Sequence, residues 1–219
     1  MAVDKEVTPL SAAEAFVLAG GRSTRMGKDK ALLQVAGRPL LELALDKLRT
    51  LGLDASVPPR IAGTRPDLSS YAPIVPDLHP GCGPLSGIEA ALAATTQPLN
   101  LFLPVDLPLL PAEFLGWILR RAEITGALLT VPRFNGWPQP LCAVYHRDLL
   151  AGVTASLLAG NFKVMPVLMA AAQSRAQAID VFDVELLAAA YPEMYRFSPL
   201  PLYRWFHNCN TPEDMTKAF

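Results

Sequence analysis

Cysteine, histidine and net charge are all scarce in this chain, and each shortage excludes a class of function. Three cysteines, Cys82, Cys142 and Cys209, are spread over 219 residues. No C-x-x-C spacing exists, so there is no zinc-ribbon or redox-dithiol pattern. An odd number of dispersed thiols fits reduced cysteines in a cytoplasmic protein. The three histidines, His79, His146 and His207, share no ligand spacing. That speaks against a histidine-based zinc site, and no Ser-His-Asp arrangement is readable. Lys and Arg number 19 against 20 Asp and Glu, for a formal net charge of -1. A nucleic-acid binder of this size would carry a basic excess. No apolar run approaches the ~18 residues that a transmembrane helix needs. Residues 1–14 contain a lysine but no continuous apolar segment, so they read as a flexible leader and not as a signal peptide.

What is present reads as globular: 51% of residues are hydrophobic and 18% charged. The length suits one large domain or two small ones. No linker, repeat or low-complexity stretch divides it, so a single domain over 15–219 is expected. Strand-like and helix-like segments alternate. Strands are expected at 16–19, 55–62, 72–75, 99–105, 127–131, 138–145 and 176–182. Helices are expected at 39–51, 84–95, 111–121, 147–158 and 163–172, with an irregular stretch over 191–205. Such alternation implies right-handed βαβ units and a parallel sheet. In these sheets ligands sit beyond the carboxyl ends of the strands.

One loop stands at such an end. The apolar run Ala15-Phe16-Val17-Leu18 leads into Ala19-Gly20-Gly21-Arg22-Ser23-Thr24-Arg25-Met26-Gly27-Lys28-Asp29-Lys30. Gly20 and Gly21 let backbone N–H groups approach a ligand without a Cβ in the way. Arg25, Lys28 and Lys30 add cations, and the combination suits a nucleoside triphosphate. Six residues separate Gly21 from Gly27, so this is not the Walker spacing, and no G-x-G-x-x-G is present either.

Asp106 ends a second apolar run in Leu103-Pro104-Val105-Asp106-Leu107-Pro108. A buried carboxylate is costly unless it is paired or holds a cation. Mg²⁺ needs few protein carboxylates when phosphates and waters complete its shell. Asp106 therefore suits a metal bridging to a triphosphate. Asp77 follows Val75-Pro76 and precedes the loop Gly83-Pro84-Leu85-Ser86-Gly87-Ile88; by itself it reads equally as a strand-end turn residue. Asn208 and Asn210 flank Cys209 just before Thr211-Pro212-Glu213-Asp214, which has the form of a helix start with Thr211 as N-cap and Asp214 closing a capping box. In an extended segment the two asparagines face one side, and Cys209 faces the other as a packing residue.

The pattern L-A-G-G-x-S-x-R-M-G-x-D-K resembles that of the MobA-like nucleotidyltransferases, whose type members are the molybdenum cofactor guanylyltransferases. The stretch around Asp106 is similar to that family's P-x-D-x-P motif, and Phe206 to Asp214 to its F-x-N-x-N-T-P-E-[DE]. The resemblance implies a Rossmann-like three-layer α/β/α fold with a mostly parallel sheet, of the nucleotide-diphospho-sugar transferase type. It implies nucleotide binding by Leu18, Ala19, Gly20, Gly21, Lys30, Asp77 and Asp106, and catalysis by Arg25, Lys30 and Asp106. Asp106 is then the Mg²⁺ ligand, and Asn208 and Asn210 face the pterin substrate. The N-terminal part binds the nucleotide and the C-terminal part the cofactor.

The expected partners are GTP and the molybdenum cofactor or molybdopterin, with molybdoenzymes or their chaperones beyond them. Neither nucleic acid nor membrane is expected. Two departures stand out. Ala62 falls where relatives often carry an Asn, followed in this chain by Arg65. Gln139 falls where a His often precedes P-L, and it is otherwise a hairpin residue. Three alternatives stay open: a cytidylyltransferase for the same cofactor, a sugar-phosphate nucleotidyltransferase, and a degenerate member that binds without turnover. Gly20-Gly21 favours guanine over cytosine.

Overall fold

The strands form a mostly parallel sheet because their apolar runs are buried on both faces. The computed structural model describes residues 13–19, 29–53, 56–173, 179–210 and 214. In chain order the elements are β1 (Ala13–Leu18), a small hairpin β2 (Gln34–Val35) and β3 (Arg38–Pro39), α1 (Leu40–Arg49), β4 (Arg60–Ala62), β5 (Ile74–Val75), α2 (Pro84–Ala94), β6 (Leu99–Pro104) and α3 (Ala112–Thr125). There follow β7 (Leu129–Phe134), β8 (Trp137–Pro138), β9 (Ala143–His146), α4 (Leu150–Leu158), α5 (Val164–Ala172), β10 (Ile179–Asp183), α6 (Val184–Ala190) and α7 (Leu202–Trp205).

The main sheet runs in the order β10-β7-β9-β6-β1-β4-β5, with β8 pairing to β7. β1 pairs in parallel with β4 and β6, β4 with β5, and β7 with β10, whereas β9 is antiparallel to both β6 and β7. The carboxyl ends of β5, β4, β1 and β6 therefore lie side by side along one edge.

Alternation along β1 assigns the layers. Ala13, Ala15 and Val17 face one buried cluster with the apolar stripes of α1 and α3, while Phe16 and Leu18 face a second with α2, α4 and α5. All six residues of β1 and all six of β6 are buried. This is the pattern of central strands covered on both sides.

Four expectations shift. The strand expected over 138–145 is split, because Asn135 and Gly136 turn with φ of 49° and 79° and a second turn, closed by the N–H of Cys142 on Gln139 O at 3.0 Å, separates β8 from β9. Pro138 and Pro140 lack the N–H that a continuous ladder needs. Of the strand expected over 55–62, whose Ala55 lies outside the described residues, Arg60–Ala62 is a strand, directly after Pro58 and Pro59. The stretch over 191–205 holds a 3-10 segment, Pro192–Phe197, and α7. The parallel sheet expected from the strand–helix alternation carries two antiparallel strands, β8 and β9, which belong to a hairpin and its return, so the sheet is mostly parallel. Gly20, Gly21, Arg25 and Lys28 lie outside the described residues, as does Thr211 of the expected cap.

Candidate active site

The adjacent strand ends enclose a cavity of about 410 Å³. Leu18 closes it from β1, Ala62 from β4 and Pro104 from β6, with Asp106 just beyond the end of β6; Asp77 enters from the loop after β5. Gly87 of α2 completes one wall, and a Cβ there would meet Leu18 at 3.4 Å and the Ala62 carbonyl oxygen at 3.6 Å. Those are ordinary van der Waals distances, so α2 packs closely on β1 and β4 here with little space to spare. From Asp77 to Asp106 the cavity crosses three strand spacings, about 14 Å at ~4.8 Å each.

Three distant segments meet at Lys30. Asp29 caps a 3-10 turn over Lys30–Leu32, its carboxylate accepting from the Ala31 N–H at 3.0 Å. This sets Lys30 at the cavity wall. Its ammonium donates to Asp106 Oδ2 at 2.5 Å and to Asn210 Oδ1. Asp106 and Asn210 are themselves joined through the backbone, since the N–H of Cys209 donates to Asp106 O at 2.9 Å. Asp214 accepts from the N–H of Asn210 at 2.9 Å, so the carboxylate expected to close the cap fastens the asparagine segment. Asn208 is exposed, whereas Cys209 is fully buried, as its alternation with the asparagines predicts.

Asp77 is held by Thr64, whose N–H and hydroxyl both lie 3.2 Å from Asp77 Oδ2, while the Asp77 N–H lies 3.0 Å from Thr64 Oγ1. The other carboxylate oxygen has no partner among the described residues. Ala62 lines the cavity with a methyl group only, two residues before Thr64. Gln139 turns back on its own hairpin, donating to the Trp137 carbonyl at 3.0 Å. In this structure it acts within the hairpin.

Arg65 has a larger role than its sequence position suggests. It is 4% exposed. Its guanidinium donates to Ala19 O at 3.3 Å, to both oxygens of Asp29, and to Asp67 at 2.7 and 3.0 Å. It therefore grips the chain on both sides of residues 20–28. Asp67 first, then Asp29, raises its pKa further and keeps it charged. Nothing in the local sequence reveals the partners at Ala19 and Asp29, because they lie 46 and 36 positions away. Lysine keeps the charge but lacks the fork that spans three acceptors. Arg65→Lys is expected to raise the nucleotide KM about tenfold while kcat changes little. Initial-rate kinetics across nucleotide concentrations check this.

Lys47 of α1 is a residue that the sequence reading did not single out. Its ammonium donates to Leu107 O at 3.0 Å and Pro108 O at 2.5 Å, pinning the turn after Asp106 from behind. Burial lowers its pKa to about 8, against a smaller opposing influence from Cys142 and Cys209. Between that value and the ordinary ~10.4 the unfolded chain holds a proton that the folded chain has released. Folding stability therefore rises with pH across this window. Relative to Lys47→Met, the wild-type protein should gain stability from pH 8 to 10, as read by urea unfolding at each pH. Burial also pushes the Cys142 thiol up to about 12 and raises that of Cys209, so both remain protonated packing groups.

A mostly parallel α/β sheet, with a lysine and a carboxylate facing each other in a cavity across the strand ends, defines a Rossmann-like nucleotide-handling enzyme. The family model described as "MobA-like NTP transferase domain" matches residues 15–178, and the chain belongs to that family. It is 34% identical over 208 residues to the molybdenum cofactor guanylyltransferase of Xanthomonas euvesicatoria pv. vesicatoria, covering 92% of this chain and 91% of that one. The probable molybdenum cofactor guanylyltransferase of Methanothermobacter thermautotrophicus is 34% identical, with 91% and 95% covered. Among solved structures, molybdopterin-guanine dinucleotide biosynthesis protein A of Archaeoglobus fulgidus superposes with a TM-score of 0.70 at 25% identity, over 94% of this chain and 96% of that one. The Thermus thermophilus 2-C-methyl-D-erythritol 4-phosphate cytidylyltransferase, at 18% identity and a TM-score of 0.59, shares the fold. Among the described residues no helix is long and apolar enough to cross a membrane.

Proposed function

We propose that this protein transfers GMP from GTP to the molybdenum cofactor or molybdopterin, releasing pyrophosphate, in the cytoplasm and with Mg²⁺. The observation that carries the reading is the meeting of Lys30, Asp106 and Asn210. It joins the end of the glycine loop, the strand-end carboxylate and the C-terminal asparagine at one point. The span from Asp77 to Asp106 suits a nucleoside at one end and its phosphates at the other. The Asp77 oxygen left unpartnered among the described residues is suited to accept from the N1–H and N2–H₂ edge of guanine, which cytosine lacks.

The donor set suits Mg²⁺. Asp106 faces the cavity with one oxygen on Lys30 and the other unpartnered among the described residues. Those residues contain no cluster of three or more acidic, His or Cys side chains that would build an all-protein cage. A single carboxylate is what an ion completed by phosphate oxygens and waters requires. When bound, the ion would withdraw charge from the phosphates during displacement.

The cofactor's terminal phosphate oxygen attacks the α-phosphorus of GTP, and the bond to the bridging oxygen of pyrophosphate breaks. The attacking oxygen is already anionic, so no strong general base is needed. Lys30 neutralises charge on the phosphates, with Arg25 assigned the same task, while Arg65 keeps the loop ends in place. Catalysis is then positioning plus charge stabilisation. Asn210, held by Lys30, and Asn208 are both assigned to the pterin edge. Molybdoenzymes or their chaperones are the assigned recipients of the product.

The experiment is dinucleotide formation from purified molybdopterin and Mg²⁺, comparing GTP with CTP. Guanine dinucleotide product is expected. Preference for CTP would reassign the base, turnover of a sugar 1-phosphate would reassign the acceptor, and no turnover with any nucleotide would overturn the reading.

A further inference from the structure

Glu89 is a buried carboxylate that the reaction does not use. It lies in α2 and is 0% exposed, surrounded by the apolar cluster between α2, α4 and the sheet. Desolvating a carboxylate is costly, and such groups are weak evidence for stability alone. Its two oxygens take two partners. Oε1 accepts from the Thr154 hydroxyl of α4 at 2.7 Å, and Oε2 meets His79 Nδ1 at 2.7 Å.

His79 belongs to the loop between β5 and α2, two residues after Asp77 and two before Gly81, both of which line the nucleotide cavity. The same loop is fastened to α2 by Ser86, whose hydroxyl donates to His79 O at 2.7 Å and lies 3.3 Å from the His79 N–H. Three contacts thus converge on one residue of the loop. Asp77 is held from the opposite side by Thr64. The Glu89 carboxylate against Nδ1 thus fixes the ring orientation of His79.

We propose that Glu89 is a positioning residue for nucleotide binding, acting through His79 to hold the Asp77–Gly83 loop in its binding shape. The inference rests on the reading of Asp77 as a nucleotide contact. Thr154 separates it from a purely structural role. The Thr154 bond ties α4 to α2 and touches no loop residue, whereas the His79 bond reaches the loop itself.

The test measures GTP affinity by calorimetry and KM against kcat in full-length wild type, Glu89→Gln, His79→Ala, His79→Gln and Thr154→Val. Glu89→Gln and His79→Ala are expected to weaken GTP about tenfold in Kd and KM, with kcat within about twofold. His79→Gln, which can still donate to Glu89, should stay within about threefold of wild type. Thr154→Val should lower the melting temperature and leave Kd unchanged. If Glu89→Gln does not fold, the two His79 variants decide, because that side chain is 35% exposed and its loss leaves the core in place. GTP binding by His79→Ala equal to wild type would overturn the inference, as would an equal loss in Thr154→Val. If wild type binds CTP in place of GTP, the base assignment fails and the same comparison with CTP decides the loop. A wild-type protein that binds no nucleoside triphosphate overturns both readings.

Discussion

Asp106→Asn should lower kcat about 10³-fold with little change in nucleotide KM. The substitution keeps the shape and removes the charge. In the structure Asp106 sits where β6 ends, its backbone carbonyl bonded to the Cys209 N–H and its carboxylate bonded to Lys30. The backbone bond survives the change, so the C-terminal segment should stay docked. What is lost is the negative oxygen that a divalent ion needs beside the phosphates. Mn²⁺ binding in the presence of GTP, followed by electron paramagnetic resonance, should weaken in parallel. Unchanged turnover and unchanged Mn²⁺ affinity would remove the metal role from Asp106.

Lys30→Met should cost about 10²–10³-fold in kcat. Methionine preserves most of the stem volume and deletes the ammonium. That ammonium links residues 76 and 180 positions away in the chain. Two effects then combine: charge on the transferring phosphate loses a neutralising partner, and Asn210 loses the contact that orients it toward the second substrate. A rise in the cofactor KM should therefore accompany the fall in kcat, which distinguishes this variant from Asp106→Asn. Both Lys30 and Asp106 are partly exposed, at 25% and 19% of the side chain. Loss of the pair should thus change stability by only about 1 kcal/mol. Product formation at saturating GTP across cofactor concentrations checks the split, and a thermal melt checks that the fold persists. Activity within twofold of wild type would show that Lys30 is not at the reacting phosphates.

The sheet was legible because its signals are local. Ala15 to Leu18 and Leu101 to Val105 are apolar at every position, the pattern of a strand buried on both faces. Pro39 and Pro84 mark the starts of α1 and α2, where a missing N–H costs nothing. The segment over 138–145 was less legible. Its residues favour a strand, but the left-handed turn at Asn135-Gly136 and the proline pair break it into β8 and a return.

Within the site, the sequence alone marked Lys30 and Asp106 by an apolar run, a turn and a polar group, and Asp77 and Asn210 by resemblance to the family's motifs. Only the tertiary structure decided what holds them there. Arg65 reaches Ala19 and Asp29, Lys47 reaches the carbonyls after Asp106, and Glu89 of α2 reaches back to His79 in the loop before it. Each supporting contact joins a side chain to a group on a separate segment of the chain. Its energy depends on a distance set by the packing of those segments, which no local pattern of residues encodes.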